Sequence, residues 1–140
     1  MEQKDYLLRE IEKIGVLLRA ILSLFTREEE NFAIKIDKKF DDTTEQLFNE
    51  TGFDLNYFLT IEESQIKEYI SRFNGLNTQN IELLADVIHQ FGTKDLTSGR
   101  KMYFKKALQM YEFCNNLDKT FSFERQKKIE YAMLEIGLNK

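Results

Sequence analysis

The chain has a single histidine, His89, and a single cysteine, Cys114. An imidazole is the ordinary side chain for proton transfer near neutral pH. Asp86 lies three residues earlier, so on a helix its carboxylate shares a face with the ring and can orient it, as a carboxylate does in a catalytic triad. The nucleophile of such a set would have to be Cys114 or a serine, and no nucleophile-elbow sequence is present. Cys114 falls on an apolar stripe, where a thiol behaves as a small hydrophobe, whereas a reactive thiolate needs a positive, partly exposed setting. A surface histidine beside an aspartate, and a packed cysteine, account for these residues without catalysis. No catalytic residue is assigned and the chain reads as a non-enzyme.

Metal and redox chemistry are constrained by the same counts. One cysteine excludes an internal disulfide, and one histidine with one cysteine excludes a conventional zinc site. A ferritin-like di-iron centre needs two Glu-x-x-His pairs, which the chain cannot supply. The carboxylate runs Glu28-Glu29-Glu30 and Asp37, Asp41, Asp42 lack the alternating ligands, central glycine and late glutamate of a calcium loop. They read as solvated helix faces, and no metal or cofactor is implied.

The basic residues are more suggestive. Ser98, Arg100 and Lys101 open a helix, with Lys105 and Lys106 one turn on. A helix N-terminus offers free N–H groups and a positive dipole end, so this cluster is a candidate anion site. Arg125, Lys127 and Lys128 are candidates to join it, and Tyr103 could stack on a base. Against nucleic acid stands the overall charge of −4 and the absence of any nucleic-acid motif. That charge is unevenly spread: residues 1–93 sum to −8 and residues 94–140 to +4. The two portions can complement each other within one fold or between two copies.

The strongest interaction signal is apolar. Leu7, Leu8, Ile11, Ile14, Leu18, Ile21, Leu22 and Phe25 recur at three and four, and Val16, Leu17 and Ala20 widen the stripe. A helix apolar around most of its girth is either central in the core or covered by a partner. Ile14, Leu17, Leu18, Ile21, Leu22 and Phe25 are therefore candidate interface residues, with a homodimer the simplest partner. Gly15, inside this helix, points to a close helix crossing.

The elements that must position these groups are helical. The chain contains no proline and only six glycines, which removes the strongest helix breaker and disfavours a turn-rich sandwich or barrel. The second helix carries Phe32, Ile36, Phe40, Thr43 and Leu47, with a break expected near Asp41–Asp42. Thr26 is a candidate cap before it. Asp54 to Leu59 reads as a short helical turn or linker. Thr60-Ile-Glu-Glu63 has the pattern of a capping box. Ile66, Tyr69, Ile70 and Phe73 follow as one face, and Asn77 or Thr78 opens the next helix with Ile81, Leu84, Ala85, Ile88 and Phe91. A long helix over 99–116 places Phe104, Ala107, Leu108, Tyr111 and Cys114 on one side. Ser122 caps the last, with Ile129, Ala132, Met133 and Ile136 facing inward. Gly52, Gly75, Gly92 and Gly137 stand where helix stops are wanted. The expected fold is all-α: one domain over 1–140, about six helices in antiparallel hairpins.

At Ala107, Tyr111 and Cys114 the fifth helix resembles the second helix of a tetratricopeptide repeat, with Leu84, Ala85 and Ile88 on the helix before it. The likeness spans residues 80–121. The link between the helices is about ten residues longer than the repeat allows, the typical tryptophan and closing proline are missing, and no second copy appears at the period of the repeat. The segment from Asp5 to Leu22, together with Asn80-Ile-Glu-Leu-Leu-Ala-Asp-Val-Ile88, is similar to small uncharacterised bacterial all-helical proteins. That resemblance implies tetratricopeptide-like packing in the C-terminal half and supplies no catalytic residues.

No basic, apolar export signal opens the chain, and the longest apolar stretch, residues 14–25, is too short to span a bilayer. The expectation is a cytoplasmic protein-interaction or scaffold module, with protein or self as partner. The alternative is an anion or nucleic-acid binder using residues 98–106.

Overall fold

In the computed structural model, which describes residues 2–25, 32–95, 97, 99–119 and 121–137, the chain is all-α. The described residues form seven α-helices: α1 (Glu2–Phe25), α2 (Phe32–Thr51), α3 (Leu55–Thr60), α4 (Ile66–Ile70), α5 (Thr78–Lys94), α6 (Arg100–Asp118) and α7 (Phe123–Ile136). A 3-10 turn at Glu63–Gln65 precedes α4. The candidate cap Thr26, the run Glu28-Glu29-Glu30 and Ser98 lie outside the described residues.

The caps explain several boundaries. Asp54 accepts from the Tyr57 amide at 3.0 Å, Asn77 from Asn80 at 2.9 Å and Ser122 from Arg125 at 3.1 Å, each satisfying an orphan donor of a first turn. Gly52 and Gly137 end their helices at φ +82° and +81°, where a side chain is strained. Helix α6 runs past Asn115–Asn116 to an exit at Lys119, the one non-glycine left-handed residue described.

Other expected boundaries are corrected. Helix α2 continues through Asp41–Asp42 without a break. The capping box is formed by Glu62 and Gln65, while Thr60 closes α3 and its hydroxyl donates to the Tyr57 carbonyl at 2.7 Å. Gly75 and Gly92 stop no helix. Gly75 lies in the turn before α5, where an added Cβ would sit 2.8 Å from the Glu10 carbonyl oxygen of α1. Gly92 is inside α5, and its bare backbone admits the Phe104 ring of α6. Both are small for reasons of packing, which a single stretch of sequence cannot show.

Helix α5 is the centre of the bundle. It packs against α6, α1 and α2, and α6 packs in turn on α7 and α3. Contacts fix the directions. Asn80 Nδ2 donates to the Ile11 carbonyl at 2.8 Å, and the rings of Phe25 and Phe91 meet at 4.9 Å, so α1 runs parallel to α5. The Phe104 ring lies against Gly92 and Cys114 Sγ contacts the Thr78 carbonyl at 3.7 Å, so α6 runs antiparallel to it. Arg100 meets Glu135 and Arg125 meets Asp118, so α7 reverses direction again. The start of α1, the end of α6 and the start of α7 therefore share one end of the bundle.

The candidate interface stripe of α1 is placed in this core. Ile14, Leu17, Leu18, Ile21 and Phe25 are buried within the chain and Leu22 is partly buried. Gly15 faces Asn80 of α5, as the close crossing requires. The exposed apolar side chains of α1 are instead Tyr6, Leu7, Leu8 and Val16.

Candidate functional site

His89 and Asp86 both lie on α5, but they do not form a pair. The Asp86 carboxylate accepts from the Tyr111 hydroxyl at 2.6 Å and from Lys128 Nζ at 3.0 Å. The His89 ring is half-buried among Phe104, Tyr111 and Tyr131, with centroid distances of 5.0, 6.4 and 5.1 Å. Its Nε2 has no hydrogen-bond partner. Burial, with Lys128 second, lowers its pKa to about 4, so the ring is neutral at physiological pH. Cys114 is buried on α6, and burial pushes its thiol up to about 12. A thiol so placed is a packing group rather than a nucleophile.

The basic residues of the C-terminal portion divide between two internal tasks. Arg125, with only 7% of its side chain exposed, binds Glu82 of α5 at 2.9 Å and Asp118 of α6 at 3.0 Å, and donates to Asn115. Lys128 bridges Glu82 and Asp86. The acidic and basic portions of the sequence thus meet inside one chain, joining α5, α6 and α7.

Among the described residues of the candidate anion cluster, Arg100 and Lys101 begin α6, but Arg100 and Lys106 are engaged within the chain. The Arg100 guanidinium turns back to the Gly92, Thr93 and Asp95 carbonyls and to Glu135. It closes the C-terminus of α5, where a cation suits the negative dipole end. Lys106 is buried, donates to the Ile61 carbonyl at 2.6 Å and lies over the Phe58 ring. Burial pulls its pKa down. Lys101 and Lys105 are exposed. Tyr103 packs between Phe40 and Phe91, away from any stacking role on the surface.

Lys101 and Lys105 line a groove along the outer face of α6. One stretch, of about 530 Å³, lies between α6 and α7 and has Met102, Leu108, Met133 and Ile136 as its apolar lining. A second, of about 590 Å³, lies between α6 and the α3–α4 connection. They share Glu63, Met102, Lys105 and Gln109 and so form one continuous depression. Gln109 Oε1 is buried there without a hydrogen-bond partner. Lys101 and Glu112 stand at its rim. Met102, Lys105, Gln109 and Glu112 recur at three, four and three, so the sequence does carry this face as a helical stripe. The walls from Glu63 and Met133 come from distant segments and leave no local signal.

Among the described residues no group of histidine, cysteine and carboxylate side chains could hold a metal ion, and no helix is long and apolar enough to cross a membrane. No family model, curated protein or solved structure matches the chain.

Proposed function

We propose that the chain is a non-enzymatic protein-interaction module that works through the groove along α6. The groove itself carries this reading: its α6–α7 stretch is lined by Met102, Leu108, Met133 and Ile136, with Lys101, Lys105 and Glu112 beside them, and is left open by the described residues. Interfaces combine an apolar centre with a polar rim, and amphipathic helices dock into grooves of this kind.

The interior supports the same reading. The gap between α1, α2 and α5 measures only about 10 Å³, room for a single water at most. His89 is desolvated and Asp86 is committed to Tyr111 and Lys128, which favours binding over catalysis. The inward packing of Ala107, Tyr111 and Cys114 on α5 suits a tetratricopeptide-like hairpin scaffold. Anion binding around residues 98–106 draws less support, since Arg100 and Lys106 already serve carbonyls and a carboxylate of the chain.

A photo-crosslinking residue at Met102 of the full chain, used in living cells, tests this. The expected result is a discrete protein adduct that the same residue at Lys127, outside the groove, does not give. No adduct from Met102 would count against the reading.

A further inference from the structure

We infer that α7 is a latch: it swings off the α5–α6 pair as one unit while the rest of the bundle stays folded, and acid holds it open by placing a proton on His89.

The two helices that cover His89 are anchored differently. Helix α6 buries Phe104, Ala107, Leu108, Met110, Tyr111 and Cys114. Helix α7 buries only Ile129 and Ala132 among its apolar side chains, and its third buried residue is Arg125. Met133 and Ile136 are partly buried, while Phe123, Tyr131 and Leu134 stay exposed. The polar hold of α7 on α5 and α6 is carried by ion pairs: Arg125 on Glu82 and Asp118, Lys128 on Glu82 and Asp86, and Glu135 on Arg100. An apolar face loses its burial outright when a helix lifts away. Both partners of an ion pair instead regain their hydration, which offsets much of the attraction lost. Helix α7 therefore opens at a lower cost than α6.

His89 reads whether α7 is closed. Its ring is bounded by Phe104 and Tyr111 of α6 and by Tyr131 of α7, and its Nε2 is buried without a hydrogen-bond partner. A proton there would find no acceptor. Lys128 of α7 and Arg100 of α6 repel it, and Glu135 of α7, which attracts it, is already paired with Arg100. Asp86, one turn earlier on α5, is taken up by Tyr111 and Lys128. The closed molecule therefore refuses the proton. Lifting α7 removes Tyr131 and Lys128 and admits water to Nε2, so the open molecule accepts it. By linkage, acid shifts the population toward the open form. With the His89 pKa at about 4 when closed and 6.5 when open, the opening constant rises at most about twentyfold from pH 7 to pH 5. The raised Asp86 pKa works in the other direction, and that term is common to the wild-type chain and His89→Gln. Met133 and Ile136 leave with α7, so the groove loses one wall on opening, whatever it binds.

Native-state hydrogen exchange of the full chain, read amide by amide from pH 7 to pH 5 and corrected for the intrinsic exchange rate, tests the inference. At pH 7 the amides of Ile129 to Met133 should show an opening constant about tenfold or more above that of Leu84 to Ile88 in α5. Their opening should also depend less steeply on low concentrations of urea, because lifting one helix exposes less surface than unfolding the chain. The α7 opening constant should rise toward pH 5, and His89→Gln should abolish most of that rise while α7 still opens before α5. Equal opening constants and equal urea slopes for α7 and α5 would show that α7 parts only with global unfolding and would overturn the latch. An α7 opening that is separate but indifferent to pH, or that rises equally in His89→Gln, would overturn the role of His89.

Discussion

The Tyr111 hydroxyl of α6 donates to Asp86 Oδ1 of α5 at 2.6 Å, with Tyr111 buried and Asp86 partly buried. Burial raises the Asp86 pKa against the opposing pull of this bond and of Lys128. The carboxylate therefore depends on its donors. Tyr111→Phe removes one of them while keeping the ring in place. The expected loss is about 1.5–3 kcal/mol, the range for a hydrogen bond to a charged group, read from urea unfolding. A loss below a few tenths would show that water replaces the phenol.

Arg125 holds two carboxylates from different helices, so its removal should cost more than a surface pair. Arg125→Met leaves Glu82 and Asp118 facing each other across a largely buried site. Breaking a buried pair costs about 3–5 kcal/mol, and the partial exposure of Asp118 places this near the lower figure. Arg72→Ala breaks the exposed pair with Glu68 and should change stability by under about 1 kcal/mol. Thermal unfolding of both variants checks the contrast.

Gly75 makes a prediction that turns on space. In Gly75→Ala the new methyl would meet the Ile14 Cδ1 at 2.6 Å and the Glu10 carbonyl oxygen at 2.8 Å. Ile14 can change rotamer, but the carbonyl belongs to the α1 backbone and must be pushed away. The expected cost is about 1–3 kcal/mol, typical of overpacking. Because Asn80 ties α1 to this same turn, faster amide exchange should appear first around Ile11.

His89 makes stability depend on pH. Its folded pKa is lowered from 6.5 to about 4, so below 6.5 the unfolded chain binds a proton that the folded one refuses. Stability is then full above pH 6.5 and falls with pH down to about 4, by at most roughly 3 kcal/mol. Lys128 of α7 and Arg100 of α6 reinforce the lowering, and Glu135 of α7 opposes it. The raised Asp86 pKa works in the opposite direction at lower pH, because there the folded state takes up the extra proton. The measurement is the stability difference between the wild-type chain and His89→Gln from neutral pH down to pH 5. A pH-independent difference would refute the assignment.

Cys114 should resist alkylation in the folded chain, since its thiol is buried and pushed up to about 12. The rate of labelling should follow global unfolding, rising in step with the urea transition. Rapid labelling in the absence of denaturant would mean that α6 opens locally.

The absence of proline and the three-and-four spacing of apolar residues determined that this chain is helical, because both depend only on neighbours along one strand of backbone. The inward faces of α1, α5 and α6 were legible for the same reason, as were the caps Asn77 and Ser122. Everything that depends on two distant segments was decided by tertiary packing. The apolar girth of α1 does not say whether the core or a partner covers Leu18, since burial looks alike in either case. Gly75 and Gly92 look like helix stops until the α1 backbone and the Phe104 ring are placed against them. Arg100 and Lys106 look like an anion site until the C-terminus of α5 and the Ile61 carbonyl take up their charges. Of the groove on α6, only the wall made by Met102, Lys105, Gln109 and Glu112 is a local helical stripe; that Glu63 and Met133 close it was decided by the tertiary structure, because no local pattern relates those distant segments to α6.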